Sequence, residues 1–267
     1  MRAALLRRTV LTASAASLAL LAGACGPDAG GSDTGGTAGA GPSAAASTPA
    51  APPAKGKTDA ELSALLVTQA DLPDLTVTPV AADAAKAAAG AAAKLVSDVS
   101  ECLPGLRAMV GAPIGTPTGT AVTTTLSKAR PAYSGATEEE KELAALNVTQ
   151  TEVSLYSYDG EGAREAFRSF ERAGLACRQG FTPSGFEGLG LNLGYTQVKG
   201  SAKVAAGDES QSHLLVMETE GAAPGRMTLE LVVVRRANTL AVFVGESPST
   251  TAEQPKEVVA AQAGKLG

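Results

Sequence analysis

Leu229-Glu230-Leu231-Val232-Val233-Val234, followed after a short polar break by Leu240-Ala241-Val242-Phe243-Val244, decides the fold. Both runs are rich in β-branched and large apolar residues, and neither is long enough for a typical helix. Arg236-Ala237-Asn238 stands between them and reads as a tight turn. The pair is therefore a β-hairpin and the strongest core signal in the chain.

Working outward, two further strands precede the hairpin, Tyr195 to Val204 and Ser212 to Glu218. Before them, Val148 to Ser157 alternates in the manner of a strand, and Thr118 to Leu126 is Thr- and Val-rich, a β signal. Between these blocks, Gly162 to Ala176 has helical period. Its buried face is marked by Ala163, Phe167, Phe170 and Ala173, and Asp159 is placed as its cap. Phe181 to Leu191 reads as a Gly/Pro loop, and Ser134 to Leu143 as a polar one.

Upstream, Thr58-Asp59-Ala60-Glu61 has the form of a capping box, with Leu62, Leu65 and Leu66 following at helical spacing. Asp71-Leu72-Pro73 stops that helix, and Leu75 to Val80 reads as a short strand. Ala81 to Val99 is alanine-rich and helical, placed at the surface. Leu103 to Val110 is a short helix with Pro104 near its start, and residues 251–265 close the chain as a helix. Helices first, then strand, helix and a run of antiparallel strands predict an α+β fold. It is an antiparallel sheet with helices packed on one face, forming a single domain after a tether.

The tether is residues 26–57, which hold no Leu, Ile, Val, Met or aromatic residue. Such a segment buries too little apolar surface to offset ordering entropy and is expected to be disordered. Ahead of it lies an exported N-terminus. Arg2, Arg7 and Arg8 precede an apolar stretch, Thr9 to Leu21, that is too short to span a bilayer. Arg7-Arg8 also has the form of a twin-arginine export signal. Leu21-Ala22-Gly23-Ala24-Cys25 is similar to the lipobox of bacterial lipoproteins, although Ala22 occupies the place usually held by Leu. The expectation is a signal peptide over residues 1–24 and lipidation at Cys25, with the domain over residues 58–267. An ordinary secretory peptide is the alternative. Two or three acyl chains hold stably where one holds marginally. The predicted location is the outer face of the cell membrane.

Charge narrows the partners. The precursor has 22 basic and 27 acidic side chains. Removing residues 1–24 takes three arginines and leaves 19 against 27. That balance disfavours nucleic acid. With Cys25 acylated, Cys102 and Cys177 remain, and two thiols in an oxidising compartment read as one disulfide. It would stabilise by roughly 4.5 kcal/mol in the chain-entropy picture. Two free thiols or a redox pair are the alternatives.

Cys102-Leu103-Pro104, the stretch Val153 to Phe170 leading to Cys177, and Val234-Arg235-Arg236-Ala237-Asn238-Thr239-Leu240 together resemble the extracellular sensor domains of actinobacterial PknH-like serine/threonine kinases and related envelope lipoproteins. The resemblance covers about residues 58 to 265. It implies sensing of a ligand or partner rather than a reaction. The chain departs from it in holding one disulfide where the family often has two, and in Ala237 where the family's turn has Gly.

Chemistry-bearing residues are few. His213 is the sole histidine, and strand-edge decoration is its default role. No G-x-S-x-G elbow is present, and one His with two paired cysteines does not make a zinc site. Gly188-x-Gly190-x-x-x-Gly194 misses the dinucleotide fingerprint by one position. Glu138 to Glu142 lacks calcium-loop spacing, and Asn147-Val148-Thr149 is a chance sequon. No cofactor or metal is implied. Arg235, Arg236 and Asn238, at the hairpin tip, put positive charge on an acidic domain and are the candidate partner contact.

The expected function is a non-enzymatic, membrane-anchored lipoprotein with a sensor-like domain that binds an envelope protein or a small ligand. A carrier of an apolar ligand held between sheet and helices is the first alternative, and an unrecognised envelope hydrolase the second. Cys25→Ser is expected to release the protein from the membrane or to stall its processing. Membrane retention and an unchanged mass on intact-protein mass spectrometry would exclude lipidation there.

Overall fold

A computed structural model describes residues 54–127, 134–141, 148–186, 193–219, 225–247 and 251–267. The signal peptide, Cys25, tether residues 26–53, Glu142, Asn147, Gly188 and Gly190 lie outside them. In chain order the elements are α1 (Asp59–Leu65), β1 (Leu75–Pro79), α2 (Ala82–Ala92), β2 (Val96–Ser97), α3 (Leu103–Met109), β3 (Gly119–Ser127), β4 (Gln150–Ser157), α4 (Gly162–Ala176), β5 (Pro183–Ser184), β6 (Leu193–Gly200), β7 (Glu209–Thr219), β8 (Arg226–Arg236), β9 (Thr239–Glu246) and α5 (Lys256–Lys265). Seven strands form one antiparallel sheet in the order β1-β3-β4-β9-β8-β7-β6, and β2 pairs with β5 apart from it.

The predicted hairpin is the centre of that sheet. Arg236 faces Thr239 across a two-residue turn, and Leu231, Val232 and Val233 face Val244, Phe243 and Val242. The α+β architecture and the antiparallel sheet are those expected, but helices cover both faces rather than one. On the first face Leu229, Leu231, Val233, Leu240 and Val242 pack against Leu106 of α3 and Phe167 and Phe170 of α4. On the second, Val232, Val234, Ala241 and Phe243 pack against Leu62 of α1 and Val258 and Val259 of α5. The physical reason lies in the strands themselves. A run such as Leu231 to Val234 has no polar side chain to turn toward water, so both faces require a cover.

Local signals explain the helix limits. Thr58 and Glu61 close a capping box on α1. The predicted face of α4 is buried at Ala163, Phe167, Phe170 and Ala173. Its N-cap is Glu161 without a side-chain cap, and the Asp159 carboxylate instead accepts the Gly56 N–H at 2.7 Å. The helix expected over Ala81 to Val99 ends at Ala92. Leu95 then turns into the core and Val96–Ser97 pairs with β5. The closing helix starts at Lys256 because Pro255 is its N-cap. Cys102 and Cys177 form the expected disulfide, with Cα atoms 5.7 Å apart, and tie the start of α3 to the end of α4.

Ordered contacts begin upstream of Thr58. Gly160 N–H donates to Ala54 O at 2.7 Å, Lys57 N–H to Ser157 Oγ at 2.9 Å, and the Asn238 side chain to Lys55 O at 2.7 Å. Two glycines make room for this segment. A Cβ on Gly56 would stand 2.0 Å from Thr118 Oγ1, and one on Gly119 would stand 2.3 Å from Lys57 O. Gly56→Val or Asn238→Ala is expected to speed tryptic cleavage after Lys55 and Lys57 at least tenfold and to cost about 1–2 kcal/mol of stability. Cleavage at the wild-type rate would show that the segment is not held.

Candidate functional site

Of the residues singled out from the sequence, Arg235, Asn238 and His213 are buried, and Arg236 is exposed. Arg235 is 9 % exposed. Its guanidinium donates to Asp208 at 3.2 Å, to Ala237 O at 2.8 Å and to Glu209. Arg236 donates to Asp208 at 2.9 Å, and Ala237 N–H donates to the same carboxylate at 2.8 Å. The Ala237 hydrogen bond, followed by the two arginine charges, holds the Asp208 carboxyl below its ordinary value. Asn238 is spent on Lys55 O. The candidate contact Arg235-Arg236-Asn238 is thus a neutralised, internally bonded turn. These bonds hold Ala237 at φ +50°, a left-handed conformation that costs an alanine about 1 kcal/mol. Sequence reasoning missed the pairing because Asp208 and Glu209 lie a whole strand away.

His213 is not an edge decoration either. It lies in β7 on the α3–α4 face, 6 % exposed, with its ring 5.0 Å from that of Phe170. A Cβ on Gly174 would meet His213 Nε2 at 2.1 Å, so a glycine in α4 makes the space for the ring. Around it are Gly105, Leu106, Phe170, Ala173, Leu215 and Leu231, none of them ionisable. Neither ring nitrogen has a hydrogen-bond partner among the described residues. Burial, and secondarily the Arg178 charge, lower its pKa from 6.5 to about 4. Substrate cannot reach a ring sealed under α4. Glu152 and Glu246 lie on adjacent strands of the same face, and burial raises both carboxyls, the Glu246 charge adding to Glu152. Among the described residues no cluster of three metal-ligating side chains occurs.

What the sequence did not place is a groove. A cavity of about 380 Å³ opens between α1, β1, α2 and β3 at the β1 edge of the sheet. Its walls are Leu66, Val67, Val77, Val80, Ala85 and Val122. The groove exists because α2 is alanine-rich. Single methyls at Ala82 and Ala85 are too short to fill the space between helix and sheet, and in α2 Ala92 alone is buried. The volume falls in the range of small-ligand sites, which are apolar with a few placed polar groups.

Most polar groups of the lining are already used. Ser63 Oγ donates to Asp59 O at 2.8 Å, and Thr123 Oγ1 to Thr78 O at 3.0 Å. Asp59 accepts the Thr120 N–H at 2.8 Å, and the Thr68 hydroxyl donates to Asp71 at 2.8 Å. Gln69 accepts from Val77 N–H at 3.1 Å and donates to Leu75 O at 2.7 Å, so its amide closes the outer edge of β1 as a neighbouring strand would. The Lys86 ammonium, the Thr120 hydroxyl and the second Asp59 oxygen remain, with no partner among the described residues.

No family model matches the chain, and no curated protein matches it. One solved structure similar to it is the extracellular domain of PknH from Mycobacterium tuberculosis, 13% identical over 79% of this chain and 97% of that chain, with a TM-score of 0.41. A likeness of this extent assigns neither ligand nor activity to the chain.

The buried histidine makes a pH prediction. A base whose folded pKa is depressed binds its proton more readily unfolded. His213 therefore contributes stability that is complete above about pH 6.5 and is lost as pH falls toward 4, by up to about 3 kcal/mol. Glu152, Glu230 and Glu246, whose carboxyls are raised by burial, act with the opposite sign. The comparison is thus between the wild type and His213→Leu. Urea unfolding from pH 7 to pH 4 is expected to show a smaller loss of stability in the variant, and parallel curves would remove His213 from the account.

Proposed function

We propose that the chain is a membrane-anchored extracytoplasmic lipoprotein, held by acyl chains on Cys25, whose folded domain binds a ligand rather than transforming one. The observation that carries this reading is the groove between α1, β1, α2 and β3. It is open, apolar and of ligand size, and its own polar groups are largely committed to the fold. The groups that would support catalysis do not converge there. His213 sits on the opposite face of the sheet under α4, and the Glu152–Glu246 pair lies on that same opposite face. Of the functions expected from the sequence, the carrier of a small apolar ligand and the ligand-sensing domain both use such a groove. The hairpin tip, bonded within the chain, supports neither.

Anchoring adds a second consequence. A domain confined to a surface meets other molecules of that envelope at high effective concentration, so modest affinity suffices. The ligand class suited to such a site is one present in or near the membrane.

Ala85→Trp places an indole in the groove from a half-buried position of α2. Solvent extraction of the purified full-length protein followed by mass spectrometry is expected to recover a small molecule from the wild type, and none from Ala85→Trp, whose thermal stability stays within about 1 kcal/mol of wild type. Equal recovery from both proteins would exclude the groove. Turnover of a hydrolase substrate panel by the wild type would overturn the non-enzymatic reading.

A further inference from the structure

From the distribution of polar groups in the groove we infer its ligand class: a single-chain amphiphile with an anionic carboxylate head, its chain along the apolar wall and its head at Lys86. This rests on the reading that the groove is the binding site, and goes beyond it in naming the chemistry.

The hydroxyls of Ser63, Thr68 and Thr123, the Gln69 amide and one Asp59 oxygen have partners within the chain. A ligand rich in carbonyl or other acceptor groups, such as a polar peptide, would find few open donors and would lose its hydration without compensation. What is open is the Lys86 ammonium, with three N–H groups, the Thr120 hydroxyl, which donates or accepts, and the second Asp59 oxygen, an acceptor. Lys86 is the sole basic residue of the lining and has no ion pair among the described residues. Lys86 lies at an exposed position of α2, and a carboxylate is the head group that pairs with its ammonium. The remaining wall, from Val77 and Val80 of the β1 edge to Leu66, Val67 and Ala85, offers branched aliphatic surface and no aromatic ring for stacking. That surface suits an alkyl chain and gives no purchase to a nucleobase or a flat heterocycle. Asp59, the one acid of the lining, has an oxygen held by the Thr120 N–H in the first turn of α1 and disfavours an anion at that end. The head is thereby directed to Lys86.

β1 is closed to a protein strand, because the Gln69 amide occupies the outward N–H of Val77 and C=O of Leu75, and Pro79 has no N–H to offer. This favours a small amphiphile over an added peptide strand at the same edge.

The test uses the full-length protein and dodecanoate, dodecanol and dodecyltrimethylammonium below their aggregation concentrations, with affinities from calorimetry. Dodecanoate is expected to bind at least tenfold more tightly than dodecanol, and the cation not measurably. Lys86→Met is expected to weaken dodecanoate at least tenfold and leave dodecanol unchanged, Lys86→Arg to restore it, and Ala85→Trp to abolish both. Equal weakening of dodecanoate and dodecanol by Lys86→Met, or no effect on either, would overturn the head-group assignment while the groove still binds. Binding of both compounds to Ala85→Trp as to the wild type would overturn the groove itself. Capture of an extended peptide in competition with dodecanoate, with dodecanoate unaffected by Lys86→Met, would also overturn the proposal.

Discussion

The structure depends on burying the β8–β9 hairpin from both sides. Val232, Val233, Val234, Ala241, Val242 and Phe243 are inaccessible to solvent, and successive residues point to opposite faces. Each fully buried aliphatic or aromatic side chain contributes on the order of 1.5–3 kcal/mol. Neither face can be left open without forfeiting half of that sum. The helices follow from this demand. α3 and α4, joined by the Cys102–Cys177 disulfide, cover one face, and α1 with α5 cover the other. Gln262 in α5, fully buried, links the two covers of the second face by accepting from Val67 N–H at 3.0 Å and donating to Leu65 O at 2.8 Å.

With the centre apolar on both sides, polarity is pushed to the flanks and there is used structurally. The arginines of the turn meet Asp208 and Glu209, Lys265 meets Asp71, and the Asp71 carboxyl falls to about 2 through that bond and those from Thr68. The exceptions cluster on β7 and β8. Ser212, His213 and Glu230 are buried with an atom lacking a partner among the described residues. Ser212 and His213 lie on β7, one strand from the hairpin, and Glu230 lies within β8 opposite Gly245. A domain organised this way keeps few polar groups free, and the free ones carry the information about what it binds.

Much of the fold was legible, and the legible parts were those with a local cause. The capping box at Thr58, the buried stripe of α4 and the alternation in β4 are each dictated by residues within a few positions of one another. The disulfide followed from counting thiols. Two-sided cover was also written in the chain: the unbroken apolar run of β8 and β9 has no solvent face, and the weak amphipathic signal of α5 hid part of the second cover. What was not legible had long-range causes. Arg235 looks like a turn charge until Asp208 is folded beside it, and His213 looks like an edge residue until Gly174 opens a space over β7. The segment before Thr58 has a linker's composition, yet Gly56 and Gly119 are the residues that let two backbones pass within contact distance.

The groove belongs to the same class, since a void has no residue to announce it. It arises from the agreement of two facts that the sequence shows separately. Alanine has the highest helix propensity, so α2 holds its helical form with little packing against the sheet. Alanine is also the smallest side chain that can do so, and the space under the helix is left to whatever else can fill it. A leucine-rich helix at this position would have closed the gap and joined the second core. The alanine helix keeps the wall apolar and the site open, with Lys86 as the one cation among its lining residues. A surface built to exclude water but not filled by its own chain is stabilised by an apolar occupant, and that physical asymmetry is what the binding reading rests on.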